Sequence, residues 1–562
     1  MTTLAMHRIP EDRASGVATQ EVLSQPKAPM NGAQALFKAF AEAGLDTCFA
    51  NPGTSEMQFV FEVGRTNDVR TILCLQENTV TGAADGYARM TGKPALTLLH
   101  AGSGFANGIA NIHNAGRANV PMINVVGANA TYHQSNYPEH ELINGKIVDL
   151  ARVVSHWTQE ARSASNLAVL GAEASRYAQM GTGKICTIVA PSNYSAEPAV
   201  APPARAEPIT ALKAAPETIQ EVAALLLNGK RSGILLGSHV LYSEGLELAG
   251  QIAAKTGADI LVDGFPSRLA RGEGRVPVQR IPYFAEAALK FMAPYEQLIL
   301  VGALVPAVTY AYKDMPGVKT PKGCEVTTLA TVDHDMLSAL NDLANAVGGS
   351  SVPAVRQSRT RSAPPAGALT AEAIGQSLCV LLPENAILVD ESITMASTLF
   401  ERTQGARPHD YLYGLCGVAI GGGLPLALGA SIACPNRKTV VLEGDGSAMM
   451  TNQALWSMAR EKADVVVVLL KNDEYGILNI ELARVRDGDP NEKMHSMMRL
   501  SNPTLDWVQI AEGQGVPACR VTSAAEFHQQ FEMALTSKGP RLIEAQVAQD
   551  IQPIIDLVRK HI

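Results

Sequence analysis

Residues 465–470 read VVVVLL, a strand-length run with no polar side chain on either face. A half-exposed strand alternates apolar with polar residues, so a run that is apolar throughout must be covered on both sides, as in a parallel sheet sandwiched between helices. Comparable segments recur along the chain, separated by stretches of helical spacing. They fall at 47–50, 71–75, 95–100, 122–126 and 185–190, at 233–236, 260–262 and 298–302, and at 387–389, 439–442, 465–470 and 542–547. Strand-then-helix repetition predicts an α/β fold. A Pro/Ala-rich stretch at 198–208 and a Ser/Pro/Arg-rich stretch at 349–367 read as linkers. The expectation is a flexible arm over 1–30, a first domain over 31–195, a central domain over 209–348, a linker over 349–367 and a last domain over 368–562. Each domain is expected to be a doubly wound parallel sheet. At 562 residues the chain is too long for one hydrophobic core.

A net charge of −8 with no block of Lys or Arg leaves no electrostatic footprint for nucleic acid or an anionic membrane. The longest apolar runs fall far short of the roughly 20 residues that span a bilayer. The first 30 residues lack the continuous apolar stretch of a secretion signal, so a cytoplasmic protein is expected. Eight cysteines without a Cys-x-x-Cys pair fit reduced, buried thiols.

In sheets of this kind ligands bind beyond the carboxyl ends of the strands. One such strand runs into Gly444, Asp445, Gly446 and Ser447, with a helical stretch over 452–461. The next ends at Lys471, Asn472, Asp473, Glu474, Tyr475 and Gly476. Two neighbouring strand ends thus offer a carboxylate and an amide oxygen, hard ligands for a Mg²⁺ that already carries phosphate oxygens. The glycines let backbone N–H groups approach a diphosphate. With 25 residues between Gly446 and Asn472, the arrangement resembles the cofactor motif of thiamine-diphosphate enzymes. The resemblance implies that Asp445, the Asn472 side chain and the Glu474 carbonyl hold Mg²⁺. It puts Gly446 and Ser447 on the diphosphate, with Gly444, Tyr475, Gly476 and Ile477 also at the cofactor. Such enzymes commonly carry two asparagines here, and in this chain the first is Lys471.

In the first domain a strand ending at 75–76 meets Glu77, and a helix is expected from the small residues at 82–89. This segment resembles the one whose Glu hydrogen-bonds the cofactor's aminopyrimidine ring and so promotes loss of the C2 proton. The runs Asn51, Pro52, Gly53, Thr54, Ser55, Glu56 and His100 to Asn107 narrow the resemblance to benzoylformate decarboxylase and its relatives. That implies a Thr54 hydroxyl on the substrate carboxylate, a His100 that relays protons, and Asn107 at the cofactor. Imidazole suits proton relay near neutral pH.

The glycine-rich run CGVAIGGGLPLALG at 416–429 is not a dinucleotide fingerprint, because Leu426 stands where Gly or Ala is required. By the same resemblance Ile420 is the apolar wedge beneath the bent cofactor and the Val418 carbonyl accepts from its amino group. Thr394, in DESIT at 390–394, contacts the diphosphate. Ile477, Leu478 and Glu481 line the substrate pocket with Thr54 and His100.

The function so implied is a non-oxidative 2-oxo acid decarboxylase working through ylide and enamine intermediates, with carboligation open. An acetolactate synthase-like carboligase is the alternative, since AADGYARMTG at 83–92 resembles that family equally. A non-catalytic cofactor-binding paralogue is opposed by retention of Glu77, Asp445 and Asn472. No flavin-contacting loop is recognisable between about 263 and 282, so FAD is not expected. The resemblance further implies a homo-oligomer, a dimer of dimers, with each cofactor between the first domain of one chain and the last domain of another.

Overall fold

The computed structural model describes residues 30–136, 139–201, 207–309, 315–485, 490–548 and 551–559. The expected arm, except Met30, and residues 202–206 of the first expected linker lie outside the described residues.

Three sheets follow one another along the chain. The first comprises β1 (Thr47–Asn51), β2 (Arg70–Leu73), β3 (Ala95–Leu99), β4 (Met122–Ala128), β5 (Trp157–Glu160) and β6 (Ile185–Pro191). Its order is β2-β1-β3-β4-β6-β5, parallel throughout. The second comprises β7 (Ser232–Leu236), β8 (Asp259–Val262), β10 (Gln279–Arg280), β11 (Gln297–Val301) and β12 (Glu325–Ala330), in the order β10-β8-β7-β11-β12. Between its strands lies β9 (Leu269–Arg271), which joins the third sheet. That sheet adds β13 (Ala386–Glu391), β14 (His409–Tyr413), β15 (Thr439–Gly444), β16 (Val465–Lys471), β17 (Ala518–Val521) and β18 (Arg541–Gln546). Its order is β17-β18-β16-β15-β13-β14-β9.

The expected consecutive parallel-sheet domains are present, with one exception. Strand β9 comes from the central segment yet pairs antiparallel with β14 at the edge of the last sheet. It is fastened by Arg271, buried with its guanidinium 3.7 Å above the Phe400 ring and donating to the Phe400 carbonyl at 2.6 Å. Every residue of β16 is buried, as its unbroken apolar run requires.

The strand order reverses between β1 and β3 in the first sheet and between β13 and β15 in the third. Such switch points open a crevice at the carboxyl ends of the strands. Glu77 and His100 follow β2 and β3, while Glu391 and Asp445 end β13 and follow β15.

Three helices bring the first and last sheets together: α1 (Glu77–Thr91), α2 (Ala101–Arg117) and α3 (Gly423–Ala433). Helix α1 starts at Glu77, five residues before the expected position, because the Gln76 side chain caps it by accepting the Thr79 N–H at 3.0 Å. Helices α1 and α3 touch backbone to backbone. A Cβ on Gly86 would lie 2.1 Å from the Leu426 carbonyl oxygen, and one on Gly429 1.8 Å from that of Ala83. Arg89 ties the first domain to the central and last segments: it is paired with the buried Asp85 at 2.6 Å and donates to the Ser267 carbonyl at 2.9 Å and the Tyr413 carbonyl at 2.7 Å.

Candidate active site

Two half-sites form at the two switch points. In the last domain, Asp445 opens a helical turn (Asp445–Ala448) directly after β15. Its Oδ1 accepts the Gly446 N–H at 3.0 Å, and its Oδ2 accepts those of Asp473 at 2.8 Å and Asn472 at 3.3 Å. Burial pushes its pKa up to about 6, against the pull of these N–H groups. Asn472 Oδ1 accepts the Glu474 N–H at 3.2 Å. A Cβ on Gly446 would meet the Tyr475 ring at 2.5 Å, so glycine is what lets that ring close over the turn. Lys471, in place of the family's first asparagine, is buried and paired with Asp473.

No group of three or more His, Cys, Asp or Glu side chains among the described residues could hold a metal ion. One carboxylate with neutral oxygens beside it instead suits an ion that brings phosphate oxygens of its own. The residues present therefore fit Mg²⁺ with a diphosphate.

The glycine-rich loop lies alongside. Val418 holds a left-handed backbone with φ 63°, and Ile393, beside Thr394, holds φ 48°. Two β-branched residues so placed are costly and mark positions that the surroundings over-determine, as at functional loops. The loop is pinned from the first domain by α2. Asn114 accepts the Gly417 N–H at 2.9 Å and donates to the Ala419 carbonyl at 2.7 Å, and Asn111 donates to the Gly421 carbonyl at 3.2 Å. From below it is held by Glu391, which accepts the Gly421 N–H at 2.6 Å and also that of Gly423. Glu391 lies beside Glu443 on the neighbouring strand, both fully buried. Burial pushes Glu391 up to about 7, and burial together with the Glu391 charge pushes Glu443 well above the carboxylate range. Ser447 donates to Glu443. Ile420 is half-buried and packs on the core, whereas Leu478 is exposed. The Glu481 carboxylate lies 3.1 Å from Arg484, which is itself bound to Glu286 of the central domain.

In the first domain Glu77 is buried, and its two carboxylate oxygens accept from Asn51 Nδ2 at 3.0 Å and Asn107 Nδ2 at 3.2 Å. A Cβ on Gly104 would lie 3.1 Å from Glu77 Oε1 and 3.3 Å from the His100 Cβ, so that glycine borders both side chains. His100 Nδ1 is 2.8 Å from Oε2 of the wholly buried Glu56, which also accepts the Gly53 N–H at 2.8 Å and, at Oε1, the Ser55 hydroxyl at 2.7 Å. Thr54 begins the short turn Thr54–Glu56 and is exposed. Ser55, not Thr54, is the hydroxyl against the imidazole, at 3.1 Å.

Sequence reasoning gave no role to Asn51, Ser55 or Glu56, although all three stand in the motif it singled out, and it missed Glu391 and Glu443. Their signal was only their position at or near the carboxyl end of a strand. No hydrogen bond or ion pair among the described residues joins Glu77 to Asp445.

The fold and this pair of half-sites define a thiamine-diphosphate-dependent enzyme, and the chain belongs to the thiamine pyrophosphate enzyme family. Residues 30–150 match the family's N-terminal TPP binding domain and residues 392–545 its C-terminal TPP binding domain. A Mycobacterium tuberculosis protein provisionally named acetolactate synthase large subunit IlvX is 43% identical over 92% of this chain and 99% of its own length. The benzoylformate decarboxylase of Pseudomonas aeruginosa is 28% identical over 92% of this chain and 99% of its own. Among solved structures, the thiamine diphosphate-dependent 4-hydroxybenzoylformate decarboxylase of Rhodococcus jostii RHA1 superposes with a TM-score of 0.80 at 26% identity. That likeness covers 93% of this chain and all of that one. Among the described residues no helix is long and apolar enough to cross a membrane.

Proposed function

We propose that this enzyme decarboxylates a small 2-oxo acid without oxidation and releases the aldehyde. The observation that carries the reading is the Glu56–His100 pair one glycine away from Glu77, which sets a proton-transfer group beside the carboxylate assigned to cofactor activation. Bound thiamine diphosphate would supply a nucleophilic carbon for the 2-oxo carbon and an electron sink for the pair left when CO₂ departs.

The chain's own residues do the rest. Glu77, oriented by Asn51 and Asn107, would hold the aminopyrimidine ring through its carboxylate. Asp445, Asn472 and the Glu474 carbonyl would hold Mg²⁺, and Gly446, Ser447 and Thr394 would hold the diphosphate. Ile420 would pack against the cofactor, and the strained Val418 would offer it a carbonyl. Thr54 contacts the substrate carboxylate, while Ile477 and Leu478 bound the substrate's side chain. His100 moves protons at Nε2, because Nδ1 is committed to Glu56.

Active sites shared between two chains are part of the same reading. It is supported by the lack of a direct Glu77–Asp445 contact and by exposed apolar side chains beside both half-sites: Leu75, Val418, Met449, Met450 and Leu478. A dimer of dimers would complete each site.

The name of the Mycobacterium tuberculosis relative favours a second reading, an acetolactate synthase-like carboligase. One experiment separates the two. The protein is incubated with thiamine diphosphate, Mg²⁺ and a panel of 2-oxo acids, with and without aldehyde acceptors, and CO₂ and carbon products are both measured. Aldehyde in step with CO₂ supports the decarboxylase, and acetolactate from pyruvate supports the carboligase. Full turnover by Glu77→Gln would overturn both.

A further inference from the structure

His140 lies on the loop after β4, exposed to solvent, with its Nε2 3.2 Å from His100 Nε2 and the two rings edge to face at 4.7 Å between centroids. The loop is tied down directly after the ring. Glu141 accepts from Asn129 Nδ2 at 3.0 Å, and Leu142 occupies the space over Gly102 at the start of α2, where a Cβ would meet it at 2.8 Å.

The hydrogen-bond chemistry fixes a direction. A carboxylate only accepts, so His100 donates its Nδ1–H to Glu56, and the Nε2 of its neutral ring is an acceptor. The contact between the two imidazoles is therefore completed by the Nε2–H of His140, a donor between bulk solvent and His100. Facing the pair are Glu56 and Ser55 below His100, Glu77 across Gly104, and Glu139 and Glu141 flanking His140.

We propose that His140 is the outer positioning residue of a Glu56–His100–His140 proton relay that supplies the proton consumed in each turnover. The proposal rests on the decarboxylase reading above. That reaction converts R–CO–COO⁻ and one H⁺ into R–CHO and CO₂: the carbon–carbon bond breaks, its electron pair stays with the carbonyl carbon, and a proton must reach that carbon. His140, charged by a solvent proton, passes its Nε2 proton to His100 Nε2. His100, now an imidazolium stabilised by Glu56, passes the proton on, and both rings end neutral.

The test uses the full-length holoenzyme with the 2-oxo acid that the panel identifies, comparing wild type, His140→Gln and His140→Ala. The relay predicts a kcat reduced roughly tenfold or more in both variants, a displaced acid limb of the pH profile, and partial rescue of His140→Ala by added imidazole. Thiamine diphosphate affinity, read by protein fluorescence, is expected to be unchanged. Nitrogen-15 NMR of the cofactor-free protein is the independent arm, where the His100 titration is expected to shift in His140→Gln. An unchanged His100 titration, or wild-type kcat in either variant, would overturn the relay. Wild-type protein that releases no CO₂ from any 2-oxo acid would overturn the decarboxylase reading instead, and the NMR arm would still decide whether the two rings are coupled.

Discussion

Glu56 Oε2 and His100 Nδ1 are 2.8 Å apart, and the carboxylate behind that contact is wholly buried with three donors aimed at it, from Gly53, Ser55 and His100. Because Oε2 also accepts the Gly53 N–H, a glutamine there keeps its amide oxygen toward the imidazole and turns its NH₂ to the Ser55 hydroxyl, so what is lost is the negative charge that stabilises a protonated His100. Glu56→Gln is therefore expected to lower kcat for the 2-oxo acid on the order of 10²-fold, within the range for loss of a general acid–base. Cofactor affinity should not change, because Glu77 and its two asparagines are untouched. Steady-state kinetics with a parallel cofactor titration check this. Wild-type turnover would show that the Glu56 charge behind His100 does not matter.

The α1–α3 contact sets two effects against each other. Replacing Gly429 by Ala favours helix by up to about 1 kcal/mol. The added Cβ, however, would sit 1.8 Å from the Ala83 carbonyl oxygen, a backbone atom that cannot turn aside. Overpacking of this kind costs about 1–3 kcal/mol, so Gly429→Ala is expected to be less stable by urea denaturation. A higher midpoint would mean that the helices can separate freely.

Most of the scaffold was legible because its strands are apolar on both faces, as the VVVVLL run of β16 is. Strand β14 escaped because HDYLY buries polar groups whose partners come from elsewhere. Asp410 is held by Arg268 and Arg437, and Tyr411 donates to Asp390 at 2.5 Å. Strand β9 has three residues and lies within the central segment, so no local pattern ties it to the last sheet. Glu77, Asp445 and Asn472 stood out because glycines and strand ends surround them. His140 did not, because a loop residue 40 positions from His100 carries no periodicity, and only the folded chain brings the two rings together.

His409 makes a prediction about acid stability. Burial and the neighbouring Arg271 guanidinium hold its pKa down to about 4, from an ordinary 6.5. Above 6.5 the ring is neutral in both the folded and the unfolded chain, so it contributes no slope there. Between about 6.5 and 4 the unfolded chain binds a proton that the folded one refuses, so stability falls as pH falls through that window, by about 3 kcal/mol at most. Asparagine could still donate to the Arg407 carbonyl, which His409 contacts through Nδ1 at 2.7 Å, without titrating. Urea unfolding of His409→Asn at several pH values should show a shallower loss than wild type. Equal slopes would assign the acid sensitivity to other groups.

Val418 makes the last prediction, and it sets stability against activity. Its φ of 63° is left-handed backbone, which costs an L residue roughly 1–2 kcal/mol and suits a β-branched one least. The side chain is 38% exposed, so removing it forfeits little buried area. Val418→Gly relieves the strain and loosens the unfolded chain as well, a partly offsetting term of about 0.5–1 kcal/mol. The net expectation is a gain of up to about 1 kcal/mol in urea denaturation, the size seen when a strained functional position is relaxed. Turnover is expected to fall, because the loop that Asn114 and Glu391 hold in one conformation would no longer fix the direction of the Val418 carbonyl. A variant both less stable and fully active would contradict the strain argument and the role proposed for that carbonyl together.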